Sequence, residues 1–377
     1  MTPPKLKELR LPAGDVRGIN IGWFRDASEI VLDWHEWIDA GFDGIRIIGA
    51  GVDRTVIRAD LYDGNAVCIG RHPGIVQLEN LTVVAGFSMG IQCGEQNLQK
   101  ELVPKFQIRL IGVKGYVPPP IPGFQRTKWW CLVYQADVLI EDVTVDGTLL
   151  SEHDFYFHGF AKYGLDVRRL KCLGSGAQNL KVRSSADETA YAGPLTKIKI
   201  RQSQFQRAGQ TWSDRGDGLI VIEGGASAIE IEDCLFRASS PNNPHAHAIM
   251  VSSEANSYAW GTGAVGGTGP GNGPVTIRRV AVNGWKPDAW GNELIRCGRN
   301  GGTQQSAAGF LLEESGVYGR NMLAQLGSIP KGKTVIRGCN TPAIREQCLQ
   351  IGGIDVEHEA HYPSPTRLIP LSEGVVV

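Results

Sequence analysis

The chain has 377 residues, a net charge of −1 and 48 glycines. With no basic cluster, nucleic acid is not an expected partner, and no run approaches 18 apolar residues, so no membrane span is expected. The glycine content lies well above the usual level of about 7%, and with many short apolar alternations it favours an all-β chain rich in turns.

The N-terminal stretch MTPPKLKELRLPAGDVRG has no apolar core of the secretory-signal kind, although a mature secreted chain would look the same. The first expected element is a helix over DASEIVLDWHEWIDAG, residues 26–41, with Asp26 or Ser28 as N-cap and Gly41 after its end. Ile30, Trp34, Trp37 and Ile38 would share one face, which makes this helix a plug for whatever core follows.

From residue 44 the pattern changes to short alternations that slip by one residue in mid-stretch. In IEIEDCLFRA, residues 229–238, Ile229 and Ile231 alternate with Glu230 and Glu232, and then Cys234 and Phe236 continue one position out of phase. A one-residue slip should turn the apolar side chains to the wrong face, unless the extra residue is a corner. The template is two apolar positions, two intervening residues and two further apolar or small positions. It fits Ile45, Ile47, Ala50 and Val52; Val76, Leu78, Leu81 and Val83; and Phe106, Ile108, Ile111 and Val113. It fits again at Val138 to Val145, Leu165 to Cys172, Ile198 to Phe205, Val275 to Val282 and Phe310 to Val317. Copies begin 27 to 35 residues apart, save one interval of 46. That period signals a repeat architecture. A third short strand lies between copies, as in AVCIG, GIQCG, CLVYQ, DFYFHG and NLKVRS. Three strands per repeat with no helix between them predict a parallel β-helix of about nine coils, each burying its apolar face only against its neighbours.

The longest expected loops are Gly115–Lys128, with VPPPIPG, and Glu254–Pro274, with WGTGAVGGTGPGNG. The glycine-rich loop lacks the Lys-Ser or Lys-Thr ending and the strand-to-helix setting of a phosphate loop. The end, HYPSPTRLIPLSEGVVV, is broken by proline and is expected to be extended, wrapping the coil or reaching another subunit. Eight cysteines sit mostly inside strand patterns, with no CxxC pair. Buried free thiols are expected, with a disulfide or a metal site as alternatives.

GIRIIGAGVDRTVIR at 44–58, EHDFYFHG, GAQNLKVRSSA, IEGGASAIEIEDCLF and NNPHAHAIMVSSEAN resemble coils of the bacterial and phage right-handed parallel β-helix proteins of the pectin-lyase-like superfamily. The resemblance implies an all-β right-handed parallel β-helix with an N-terminal capping helix. It divides the chain into a cap (1–43), a β-helix (44–340) and an extended tail (341–377). The better-understood members of that superfamily are polysaccharide lyases, polygalacturonases and phage tailspikes. The polygalacturonase segments NTD, DD and GHG do not occur here in order, and no Asp cluster of the calcium-binding kind is evident.

The residues entering the third strand form the candidate site. They are Glu152, His153 and Asp154; Gln178 and Asn179; Asp214, Arg215 and Asp217; His245 and His247; and Asn292 and Glu293. Stacked coil upon coil, with Tyr156, His158, Lys181 and Arg183 projecting beside them, they would make a mixed polar ladder some ~20 Å long. Two carboxylates such as Asp154 and Asp217, two coils apart, approach the separation of about 6.5–9.5 Å that suits an inverting glycosidase. A lyase needs a base and a cation against a uronate carboxyl, roles that His153, Lys181 or Arg183 could take. The competing reading is that polar residues at corners are solvated turn formers. His245 and His247 lack an evident third ligand, so no metal is expected, and no cofactor. Loop tryptophans such as Trp212 and Trp260 would suit sugar rings, a subunit interface or simple anchoring.

Three functional classes are therefore expected to compete. The first is a non-catalytic or weakly catalytic protein for glycan binding or virion and surface structure, of phage-spike or adhesin type. The second is a lyase or hydrolase acting on an acidic polysaccharide, and the third a purely structural decoration protein. Expected partners are a polysaccharide or cell-surface glycan and further copies of the chain, as a homotrimer, or other virion proteins. The expected location is the virion or the extracellular surface.

Overall fold

The computed structural model describes residues 2–22, 28–59, 64–86, 89–94, 106–118, 129–147, 152–158, 164–175, 178–183, 197–206, 219–223, 226–237, 248–252, 272–283, 294–297, 307–317, 324–326, 329, 334–339, 344–346 and 355–357. The strands fall into three sheets of twelve, ten and twelve strands. One coil shows the plan. Ala228–Glu232 lies in the first sheet, Leu235–Arg237 in the second and Ile249–Ser252 in the third. Asn272–Arg278 then returns to the first sheet and pairs in parallel with Ala228–Glu232. This is the arrangement of a parallel β-helix, and its sheets hold more strands than the nine coils expected.

The one-residue slip is a corner between the first and second sheets. Asp233 stands there at φ 54°, between Ile231 and Cys234, both fully buried. Asn80, Asp142, Arg169, Gln202, Arg279 and Glu314 take the same left-handed conformation at the same place, as do Gly112 and Gly338. A residue with a Cβ adopts that conformation at a cost, so it needs a return. The return is a continuous ladder: the corner amide of each coil donates to the carbonyl that ends the next coil's first-sheet strand. Examples are Asn80 to Ile111, Gly112 to Glu141, Asp142 to Arg168, Gln202 to Glu232 and Glu314 to Arg337. No backbone donor is lost at the turn.

Two coils are framed differently from the sequence template. Between Ile48 and Thr55 the chain makes a longer turn, so Thr55 and Ile57 face inward, whereas Val52 is 41% exposed. In the coil at 107–116 the register pairs Ile108 with Val76, Leu110 with Leu78 and Gly115 with Val83. The inward positions are therefore Ile108, Leu110, Val113 and Gly115, and Ile111 is half-buried on the outside.

The helix expected over 26–41 is reduced to His35–Ile38. Ile30–Leu32 is instead a strand at the end of the third sheet, paired with Ile19–Ile21. Trp37 is buried in the main core, and Ile30, Leu32, Trp34, Ile38 and Phe42 pack against that core. Ahead of this segment, Leu6–Arg10, Gly14–Arg17 and Ile19–Ile21 already give one strand to each sheet. At the other end, Ile344–Glu346 and Asp355–Glu357 extend the third and first sheets. The remainder of the expected tail, 341–343, 347–354 and 358–377, lies outside the described residues.

Inside the coil the rows are apolar, from Ile19, Ile47, Leu78 and Ile108 to Ile277 and Leu312. Among the described residues seven cysteines are buried thiols: Cys68, Cys93, Cys131, Cys172, Cys234, Cys297 and Cys339. The outer face of the first sheet is instead ionic. Arg46 bridges Glu8 and Glu79, Arg201 and Arg168 hold Asp166, and Arg278 and Arg337 hold Glu313. Glu230 and Glu232 belong to this ladder, paired with Lys197 and Arg278.

Candidate functional site: the outer face of the third sheet

The longest connections flank one sheet. Tyr116 to Trp129, Phe205 to Ile220 and Arg237 to Ile249 lead into the third sheet, and Cys93 to Gln107, Arg183 to Lys197 and Ser252 to Asn272 lead out of it. A rigid sheet bordered by long loops is where binding residues concentrate. On its outer face the register aligns Leu132, Tyr156, Lys181, Val221 and Met250 in one column. In the backbone register Tyr134, His158, Arg183 and Glu223 stand at matching positions of neighbouring strands.

Tyr156 is the centre of this face. Trp129 lies 5.6 Å from it between ring centroids, and His153 meets it edge-on at 5.4 Å. Lys181 Nζ stands 5.9 Å over the Tyr156 ring and 3.6 Å from Glu223 Oε1. His153 Nε2 lies 3.7 Å from Glu152 Oε1. Met89, Leu132, Tyr134 and Tyr156, with Trp129 beside them, form an apolar cluster separate from the main core. All of these ionisable groups are nearly withdrawn from water: Glu152, His153, Lys181 and Glu223 are 9%, 3%, 8% and 2% exposed. Ionic pairs held at such burial interact more strongly than surface pairs, and they cost desolvation that a purely structural face would avoid by being apolar.

Asp154 is placed differently from its neighbours. At the entry to several third-sheet strands two consecutive residues turn inward, as Trp130 and Cys131, Leu219 and Ile220, Ala248 and Ile249, and Leu294 and Ile295 do in the core. The backbone doubles there: Leu219 O accepts from both Asn179 N and Leu180 N. Asp154 and Asn179 occupy the first of these two positions. Both are fully buried, and Asn179 Nδ2 donates to Asp154 Oδ2 at 2.8 Å. Burial pushes the Cys172 thiol well above its ordinary value, and the adjoining Asp154 carboxyl adds to that rise. Asp154 thus belongs to the coil interior and not to the outer ladder that the sequence reading placed it on.

The structure therefore brings Glu152, His153, Tyr156 and Lys181 together. His158 and Arg183 lie on the same strands, with side chains outside the described ones. Asp214, Arg215, Asp217, Trp212, His245, His247 and Trp260 lie outside the described residues. Sequence reasoning missed Glu223, Tyr134 and Leu132. Their signal was present, because each sits at the same strand position as a residue already singled out one or two coils away.

Chemically, the face offers an ammonium–carboxylate pair, an imidazole beside a carboxylate and a group of aromatic rings on a flat sheet. The fold and this face define a class: an all-β repeat protein of stacked parallel strands with a polar and aromatic face along one sheet. Comparison with protein-family models, with curated proteins and with solved structures finds no match to this chain.

Proposed function

We propose that this chain is a right-handed β-helix protein of the pectin-lyase-like kind that binds a polysaccharide or cell-surface glycan along its third sheet. In this reading it is non-catalytic or weakly catalytic and serves as a spike-like or adhesin-like surface component. The observation that carries the reading is the grouping of Trp129, Tyr156, His153 and Lys181 on a sheet face bordered by the longest connections. Aromatic faces take the apolar side of a sugar ring, and the polar groups beside them fix its orientation.

The test is a glycan array read with the wild type, Tyr156→Ala and Lys181→Ala, with Glu230→Gln on the first sheet as control. Binding lost in the first two variants and kept in the control is the expected result. A glycan bound equally by all four folded proteins would place the site elsewhere. No binding on a broad panel would favour the structural decoration protein. The homotrimer that accompanies the reading is checked by light scattering, where a monomeric mass at micromolar concentration counts against it.

A second reading, a lyase or hydrolase for an acidic polysaccharide, rests on two polar pairs held out of water, Lys181–Glu223 and His153–Glu152. A cation beside a sugar carboxyl and a neighbouring base are what elimination needs. Digestion of uronate polymers, followed by the ultraviolet absorbance of an unsaturated product and by new reducing ends, separates lyase from hydrolase and both from binding alone.

A further inference from the structure

His72 lies between the first coils and the segment that closes them, outside the residue group of the proposed face. Its ring stacks on Trp34 at 5.9 Å, meets Trp37 edge-on at 6.2 Å and leans on Phe106 at 5.3 Å. The residue is 1% exposed. Nδ1 lies 3.0 Å from Gly70 O, while Nε2 is buried with no hydrogen-bond partner. Trp34 and Trp37 belong to the closing segment, whose Ile38 also reaches the turn beside His72 at Gly74. The imidazole is thus a wedge between that segment and the body of the coil.

We propose that His72 is an acid-operated latch: its protonation releases the segment Ile30–Phe42 from the first coils. A neutral ring satisfies this site by making one hydrogen bond and otherwise packing against aromatic carbon. A charged ring would need a partner for Nε2–H, and a buried unpaired cation is expensive.

The charged groups nearby are already committed. On the closing segment, Asp33 pairs with His35, whose own ring stacks on Trp34 at 3.6 Å, and Glu36 pairs with Lys7. Asp43 accepts from the Lys5 amide, and the Lys5 ammonium sits over Phe42. Arg71, adjoining in the chain, donates to Gln135. Burial holds the His72 imidazole below its ordinary value of 6.5, while the contact with Gly70 O works the other way. A histidine depressed in the folded state contributes nothing above its ordinary range. Its site then loses stability progressively as the pH falls below about 6.5, until the folded value is reached.

The experiment is hydrogen–deuterium exchange on the full chain at pH 7.5 and pH 5, corrected for intrinsic rates. Peptides covering 30–43 are compared with peptides covering 228–237. In the wild type the closing segment is expected to lose protection as the pH falls below the ordinary range, by at most about tenfold per pH unit, and the reference peptides are expected to hold theirs. His72→Gln, which keeps a donor for Gly70 O but does not titrate, is expected to keep its protection at both values. His72→Leu serves if that variant does not fold, and His35→Gln is expected to behave as wild type. Unchanged protection in wild type overturns the proposal, as does equal loss in His72→Gln or His72→Leu. The wild-type arm alone is able to do so.

Discussion

The indole of Trp130 fills the space that a side chain at Gly115 would take. A Cβ built on Gly115 would collide with the Trp130 ring, and one on Gly90 would stand 2.9 Å from it. The indole Nε1 donates to Val83 O at 3.2 Å. One large ring thus spans three strands of two sheets, and two glycines make the room. Gly115→Ala is expected to destabilise by about 1–3 kcal/mol through overpacking, and Trp130→Ala by about 3–5 kcal/mol through the cavity it leaves. Denaturant unfolding of both variants checks the pair. A neutral Gly115→Ala would mean that the indole has somewhere else to go.

The corner residues give a prediction of opposite sign. Gln202 holds φ 52°, and its amide donates to Glu232 O. Gln202→Gly keeps that amide and removes the Cβ strain, so it is expected to stabilise by about 1 kcal/mol. Gln202→Val puts a β-branched residue in the same conformation and is expected to destabilise. Melting temperatures of the two variants should fall on either side of the wild type.

Asp154 and Tyr156 lie two residues apart on one strand but face different surroundings. Asp154→Ala takes one of two acceptors from the buried Asn179 amide, leaving Gln206 O at 3.3 Å, and is expected to cost about 1–3 kcal/mol of stability while leaving glycan binding intact in the folded fraction. Tyr156→Ala is expected to do the reverse. Measuring stability and binding on both variants separates interior from groove.

Acid should act on the first sheet through Glu79. Arg46 donates to it at 2.7 and 2.8 Å, and this guanidinium holds the Glu79 carboxyl below the ordinary value of 4.5, with burial opposing. A carboxyl depressed in the folded state stabilises fully above its ordinary value and loses that contribution as the pH falls through the folded one. Glu79→Gln is therefore expected to be less stable than wild type at pH 7, with a smaller difference at pH 3. Urea titrations at the two values test this.

The slip in IEIEDCLFRA was readable as a corner because nature of side chain and backbone agree there: apolar residues flank one polar residue that tolerates a left-handed turn. The same logic failed at 107–116. Gly115 carries no apolar side chain, so the template slid to Ile111, and the tryptophan that fills the gap comes from another strand. It failed again at 50–52, where apolar residues lie in a turn. Ile30, Trp34 and Ile38 have helical spacing, yet pairing with Ile19–Ile21 draws Ile30–Leu32 into a strand. Tertiary pairing outweighed local periodicity. In the site, alternation placed Tyr156 and Lys181 correctly but misplaced Asp154, because two successive inward residues break a period of two and leave no mark in composition.

The amide ladder along the corner between the first and second sheets bears on how such a chain tolerates change. An extra residue at that corner takes one amide out of step with the carbonyl it meets unless the turn itself lengthens, as it does between Ile48 and Thr55. At the borders of the third sheet the connections already range from the short step between Tyr134 and Asp137 to the long excursion between Ser252 and Asn272. The molecule therefore has a spine on one side and an editable rim on the other. Residues added at that rim would change what borders the outer face of the third sheet and leave the stacking of the coils in step.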